Sequence, residues 1–257
     1  MRLVVFASGS SGNCALVRGE DTALLIDAGI SLRRIREALR FEGLMMEDLS
    51  GVLITHEHAD HIAALKMMAK YCALPVFAPG SAAWHIAGQI PDLEDRLRRI
   101  DPHERFSLGT LDIVAFPTPH DTDASVGYRI TEGERSLGFC TDTGHISDEM
   151  LDNLTGCSAA LIEANHDLTM LRTGGYPVYL KRRILSERGH LSNDDSARLA
   201  CALAGSGTRS LVLGHLSREN NTPRLARETV RSALDENGYA DVELQVAPVL
   251  GALRLEI

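Results

Sequence analysis

The sequence predicts a mixed α/β fold, and three observations lead there. Short apolar runs alternate with amphipathic stretches from end to end, as in strands interleaved with helices rather than in a bundle or a pure sandwich. Polar motifs follow the apolar runs directly, as loops at strand ends do. Serines of the N-cap type stand before several periodic apolar stripes.

Strands are expected over 3–7, 22–26, 51–55, 75–77, 111–116, 126–130, 137–141, 159–163, 211–213 and 243–247. Helices are expected to begin at Ser31, Ser81, Ser147 and Ser192, whose hydroxyls can accept from the free N–H groups of a first turn. One more should start after Asp60 and run through Leu65 and Met68. With no low-complexity segment, no flexible linker and no fixed-period repeat, residues 1–257 read as a single domain.

Composition narrows the class. At 44% hydrophobic and 24% charged residues the chain is neither disordered nor fibrous. No apolar stretch is long enough to span a bilayer, and Leu3-Val4-Val5-Phe6 is too short for a signal peptide, so no membrane partner and a cytoplasmic location are expected. The five cysteines, Cys14, Cys72, Cys140, Cys157 and Cys201, are odd in number and form no C-x-x-C pair. That excludes a disulfide framework and a zinc finger and leaves buried free thiols.

A net charge of −9 argues against unspecific adhesion to nucleic acid. Locally the balance reverses: between Leu168 and Gly189, the residues Arg172, Lys181, Arg182, Arg183 and Arg188 face a single acid, Glu187. A solvated helix face and a phosphate-binding face account for this segment about equally well.

The chemistry concentrates where the apolar run 51–55 meets His56-Glu57-His58-Ala59-Asp60-His61, four potential metal ligands within six residues. His56 and His58, two apart on extended chain, point to the same side and can share a cation; Asp60 and His61 turn into the next helix and can hold a second. One strand end cannot complete two coordination spheres, so the other ligands should also follow apolar runs. His120, Asp142 and His215 do. The set then closes with His56, His58 and His120 on one ion, Asp60, His61 and His215 on the other, and Asp142 bridging. Two ions about 3.5 to 4 Å apart are a device for displacement at phosphorus.

These residues resemble the metallo-β-lactamase superfamily, whose H-x-H-x-D-H signature is complete in His56, His58, Asp60 and His61. Leu25-Ile26-Asp27-Ala28-Gly29 is similar to the superfamily's first motif, in which the Asp orients the metal loop from behind. His120, Gly127-Tyr128, Thr141-Asp142-Thr143-Gly144, Gly189-His190-Leu191-Ser192 and Leu213-Gly214-His215-Leu216-Ser217 resemble its phosphodiesterase branch, which includes ribonuclease Z and small cyclic-phosphate diesterases. The opening Ser8-Gly9-Ser10-Ser11-Gly12-Asn13-Cys14 and the run Glu163-Ala164-Asn165-His166-Asp167 are similar to a small bacterial subgroup of 5′-to-3′ DNA exonucleases.

The resemblance implies a four-layer αβ/βα sandwich, two central mixed β-sheets flanked by helices, with metals at one edge. It implies two divalent ions, Zn2+, Mn2+ or Fe2+, and nucleic acid as substrate, DNA ahead of RNA; the oligomeric state stays open. No long arm for gripping tRNA is present, and the ligand set lacks the Cys of the commonest β-lactamase subclass. Within this scheme Asp60 binds metal and holds the attacking water, and His190 protonates the leaving oxygen, tuned by Glu163 or His166. Ser8, Ser10, Ser11 and Asn13 hold a terminal phosphate, though an ordinary hairpin turn also explains that loop. Three rivals remain: a small-molecule cyclic phosphodiesterase, a glyoxalase-type thioesterase or lactonase with the same T-H-x-H-x-D-H run, and a non-enzymatic nucleic-acid-binding module, which the complete ligand set disfavours.

Overall fold

Aliphatic runs too apolar to face water on either side make most of the strands. In the computed structural model, which describes residues 1–257, the first six are β1 (Arg2–Ala7), β2 (Cys14–Arg18), β3 (Ala23–Ile26), β4 (Gly51–Leu53), β5 (Val76–Pro79) and β6 (Leu97–Ile100). Then come β7 (Arg105–Leu108), β8 (Leu111–Pro117), β9 (Val126–Glu132), β10 (Arg135–Cys140), β11 (Ala159–Glu163), β12 (Ser210–Gly214), β13 (Glu243–Val246) and β14 (Leu253–Glu256). The helices are α1 (Leu32–Phe41), α2 (Ala59–Ile62), α3 (Leu65–Tyr71), α4 (Gly80–Gln89), α5 (Asp148–Leu154), α6 (Leu168–Thr173), α7 (Val178–Ile184), α8 (Asn193–Gly205) and α9 (Pro223–Glu236).

The strands form two seven-stranded sheets, ordered β14-β1-β2-β3-β4-β5-β6 and β13-β12-β11-β10-β9-β8-β7. Both are mixed. In the first, β3 to β6 are parallel and β14, β1, β2 and β3 antiparallel. In the second, β10 to β13 are parallel and β9 is antiparallel to β10.

The chain divides into two compact units interleaved in sequence: Met1–Ala115 with Thr122–Val126 and Pro248–Glu256, and Phe116–Asp121 with Gly127–Ala247 and the final Ile257. In the first unit Leu16, Leu25, Val52 and Ile54 join a core with Ile35 and Leu39 of α1, Leu65 and Met68 of α3 and Ile86 of α4. In the second, Ile162 and Leu213 share a core with Leu199 and Leu203 of α8 and Val230 and Leu234 of α9. The inward residues of α9, Ala226, Val230 and Leu234, recur every four positions, as a helix with one buried stripe requires.

Three of the expected caps are in place. The Ser31, Ser147 and Ser192 hydroxyls accept from Arg34, Met150 and Asp195 N–H at 3.4, 3.2 and 3.1 Å. Ser81 is not a cap: Pro79 closes β5 with extended backbone and α4 begins at Gly80, so Ser81 lies inside the helix. The helix expected after Asp60 is broken into α2 and α3, and at the break the Ala64 N–H donates to the Ala28 carbonyl at 2.8 Å. All ten expected strands are present, with shifted ends, but β2, β6, β7 and β14 were not anticipated. Three of these four are sheet edges, and their charged residues, such as Arg98 and Arg99 in β6, keep an edge from pairing further while hiding it from a hydrophobic pattern.

All five cysteines are free; Cys14, Cys140 and Cys157 are buried, whereas Cys72 and Cys201 are partly exposed. No helix is long and apolar enough to cross a membrane.

One close approach in the first unit bears on function. Asn13 N–H donates to the Asp60 carbonyl, Ala28 N–H to that of His61 and Gly29 N–H to that of Asn13, each at 2.8 Å. A Cβ on Gly29 would fall 1.6 Å from the Asp60 carbonyl oxygen. Gly29→Ala is therefore expected to lower stability by about 2 kcal/mol or more, read from the urea midpoint; an unshifted midpoint would mean that these strands of chain do not need to lie so close.

Candidate active site

In the first unit the parallel register Ile26↔Leu53 sets the ends of β3 and β4 side by side. Asp27 follows β3 in a left-handed conformation, φ 59°, and its carboxylate turns onto the chain leaving β4. Oδ1 accepts from the Thr55 N–H at 2.9 Å, Oδ2 from the Thr55 hydroxyl at 3.0 Å, and Oδ2 also lies 2.7 Å from His61 Nδ1. Asp27, Thr55, His56 and His61 are all fully buried. Burial pushes the Asp27 carboxyl above its usual range, while the His61 ring and the Thr55 donors pull it back.

These bonds decide which ring nitrogen faces a cation. With Nδ1 on Asp27, His61 turns Nε2 the other way, 3.6 Å from Asp60 Oδ2 and 3.1 Å from Asn13 Nδ2. His56 turns Nδ1 to the Thr55 hydroxyl at 3.0 Å and Nε2 to His58 Nδ1 at 2.9 Å. Two imidazole nitrogens bound to one tetrahedral ion lie about 3.3 Å apart, so the pair fits a shared cation with little adjustment.

The loop before β2 is split in orientation. Asn13 is buried and accepts from the Gly9 N–H at 2.8 Å while its amide faces Asp60 and His61, so it braces the metal loop. Ser8 is also buried, its N–H on the Pro248 carbonyl, whereas Ser10 and Ser11 are exposed.

In the second unit β10, β11 and β12 run parallel with Cys140↔Ile162 and Glu163↔Gly214 in register. The residues at their C-terminal ends, Asp142, Glu163 and His215, are thereby neighbours, where α/β sheets place ligand groups. Asp142 and His215 adopt left-handed backbone, φ 58° and 54°. Asp142 Oδ1 lies 2.9 Å from His215 Nδ1 and 3.8 Å from both His120 Nε2 and His190 Nδ1. Ligand atoms of Asp142, Glu163, His190 and His215 all lie within 4.8 Å of one another.

Glu163 is buried with both oxygens engaged: Oε2 accepts from Thr143 and Leu191 N–H at 3.0 and 3.2 Å, and Oε1 lies 2.7 Å from His190 Nδ1. Burial alone would raise its pKa, but the charge and hydrogen bond of His190 and the bond from His215 outweigh it and hold the carboxyl at about 2. Burial likewise works to lower His190, and the Glu163 charge and hydrogen bond, with Asp142, overcome it and raise the imidazole. His190 is thus biased toward the imidazolium form, with its Nδ1 turned to Glu163. Burial lowers His120 against the pull of Asp142. Its Nδ1 lies 3.2 Å from the Gly189 carbonyl, which leaves Nε2 as the ligand atom.

Of the two residues expected to tune His190, it is Glu163 that bonds it. His166 is buried with no hydrogen-bond partner on either ring nitrogen, and burial pushes its pKa down to about 4. Reading the sequence missed three participants. Thr55 bonds Asp27, Asp121 Oδ1 stands 3.2 Å from His120 Nε2, and Asn165 Nδ2 donates to the His215 carbonyl at 3.0 Å. Each sits inside or next to a motif already singled out, but only the folded geometry assigns it a partner.

Four non-glycine residues have positive φ, and three of them are Asp27, Asp142 and His215. Each costs about 1 kcal/mol or more, a strain tolerated where it aims a functional group.

The sequence pattern described as "Beta-lactamase superfamily domain" matches residues 22–216. The chain belongs to the metallo-β-lactamase superfamily. Within it, exodeoxyribonuclease YycJ of Bacillus anthracis is 37% identical over 238 residues, covering 91% of this chain and 89% of that protein. Ribonuclease Z of Methanopyrus kandleri is a more distant relative, 33% identical over 122 residues that make up 45% of this chain and 42% of that one. In structure, Zn(2+)-bound PqqB from Methylobacterium extorquens matches with a TM-score of 0.75 over 100% of both chains. At 18% identity that likeness speaks for the metallo-β-lactamase fold alone.

Asp27→Asn keeps the shape of the side chain but loses its charge and its hold on the His61 tautomer. Metal affinity should fall about 10- to 100-fold, measured by competition with a chelator. Undiminished affinity would separate Asp27 from the metal loop.

Proposed function

We propose that this metal-dependent phosphoester hydrolase is a 5′-to-3′ DNA exonuclease and that the two clusters of ligands serve one pair of ions, zinc, manganese or iron(II). The observation that carries the reading is the 37% identity to an exodeoxyribonuclease over nine-tenths of the chain, together with the complete H-x-H-x-D-H run. In this reading residues 1–257 form a single domain, His56, His58 and His120 would hold one ion, Asp60, His61 and His215 would hold the other, and Asp142 would serve both.

Bound there, the ions would supply Lewis acidity at the phosphoryl oxygens and acidify water. The rest of the chemistry falls to the side chains. Asp60 orients the attacking water, and Asp27 and the Gly189 carbonyl keep His61 and His120 in the ligating tautomer. His190, with Nδ1–H on Glu163, carries its other proton on Nε2 toward the leaving oxygen. That donor favours a phosphodiester over a thioester, because a departing alkoxide needs a proton and a thiolate does not. Ser10 and Ser11, exposed on the loop that Asn13 braces, receive the 5′-phosphate.

End-labelled DNA, digested with manganese or zinc, should release mononucleotide from the 5′ end first. Release from the 3′ end, or only internal cuts, would reject the polarity. His190→Ala should lower turnover by about 10² to 10⁴ with metal content retained; loss of metal in parallel would make His190 a ligand instead. Replacing Ser10 and Ser11 by Ala should abolish preference for 5′-phosphorylated ends, and a preserved preference would move the phosphate site elsewhere.

A further inference from the structure

The basic stretch between Leu168 and Gly189 folds as α6, α7 and their loops. On α7, Ile184 turns inward. Tyr179, Arg182 and Arg183, spaced three and four apart, share the outer face, and Tyr179 is 74% exposed. Two arginines moor this segment beside a ligand: Arg183 pairs with Asp121, the neighbour of His120, and Arg188 Nε donates to the His120 carbonyl at 2.7 Å. At about 1.5 Å of rise per residue, Tyr179 stands about 6 Å along the axis from Arg183.

We propose that α7 is a platform for single-stranded DNA, on which Tyr179 stacks against a base while Arg182 and Arg172 neutralise phosphates. The inference rests on the nucleic-acid reading of the site. Three observations point to this occupant. Five positive residues against one acid gather here in a chain of net charge −9, which complements a polyanion. An aromatic ring interleaved with arginines is what an unpaired strand binds, since every base has a π-face. The face is moored to the loop that carries His120. An anionic membrane fits less well, because the seven residues of α7 span only about 10 Å, so that exposed Val178, Tyr179 and Leu185 make a strip much shorter than an interfacial helix inserts.

The test is anisotropy of a fluorescent single-stranded oligonucleotide with hydrolysis-resistant phosphorothioate linkages, bound to the full metal-loaded chain. Tyr179→Ala should weaken binding by about 5- to 100-fold, while Tyr179→Phe, which keeps the ring, should stay within about twofold of the parent. Arg182→Gln should lessen the salt slope of log K by about 0.7. An alanine variant that binds like the parent, a phenylalanine variant as weak as alanine, or an unchanged salt slope would overturn the proposal. So would phosphatidylserine vesicles that retain the parent and release Tyr179→Ala while oligonucleotide binding is unaffected. The exonuclease reading fails separately: if the parent degrades no DNA yet Tyr179→Ala loses the oligonucleotide, the platform stands and the catalytic assignment falls.

Discussion

The site depends on buried carboxylates whose oxygens are satisfied by hydrogen bonds. Removing a carboxylate from water is costly unless charge-assisted hydrogen bonds replace the lost hydration. Asp27 and Glu163 solve this in the same way in the two units. Each ends a parallel strand, accepts backbone N–H groups from a neighbouring loop, and holds the Nδ1 of a histidine, His61 or His190. Satisfying the carboxylate and orienting the imidazole are therefore one event.

The two pairs nevertheless differ in their electrostatic balance. Asp27 holds His61 Nδ1 and leaves Nε2 turned toward Asp60, while burial raises the Asp27 carboxyl. Glu163, whose pKa is held low by His190 and whose other oxygen accepts from two backbone N–H groups, raises His190 in turn. Local charge balance thus shifts the two carboxyls in opposite directions, although each holds a histidine.

This geometry is held against the preferences of the backbone. Asp27, Asp142 and His215 occupy left-handed conformations that glycine adopts without strain, and Gly29 permits a main-chain approach that no side chain would allow. The compensation comes from parallel strands buried on both faces, whose packing fixes where each strand ends, and from side chains such as Asn13 and Asn165 that bond the loop carbonyls directly.

The sequence by itself determined the α/β class, ten of the fourteen strands, three helix caps and the superfamily, because hydrophobic period, capping serines and the H-x-H-x-D-H run are local patterns. It hid the edge strands β6, β7 and β14, whose charges protect the sheet margins, and misplaced the start of α4, where Pro79 rather than Ser81 makes the turn. Only the tertiary structure decided that Asp27 bonds His61, that Glu163 rather than His166 bonds His190, and that Asn13 braces the metal loop instead of lying open. Those pairings follow from strand register and from where burial leaves a polar atom in need of a partner, and both are properties of neighbours distant in the chain.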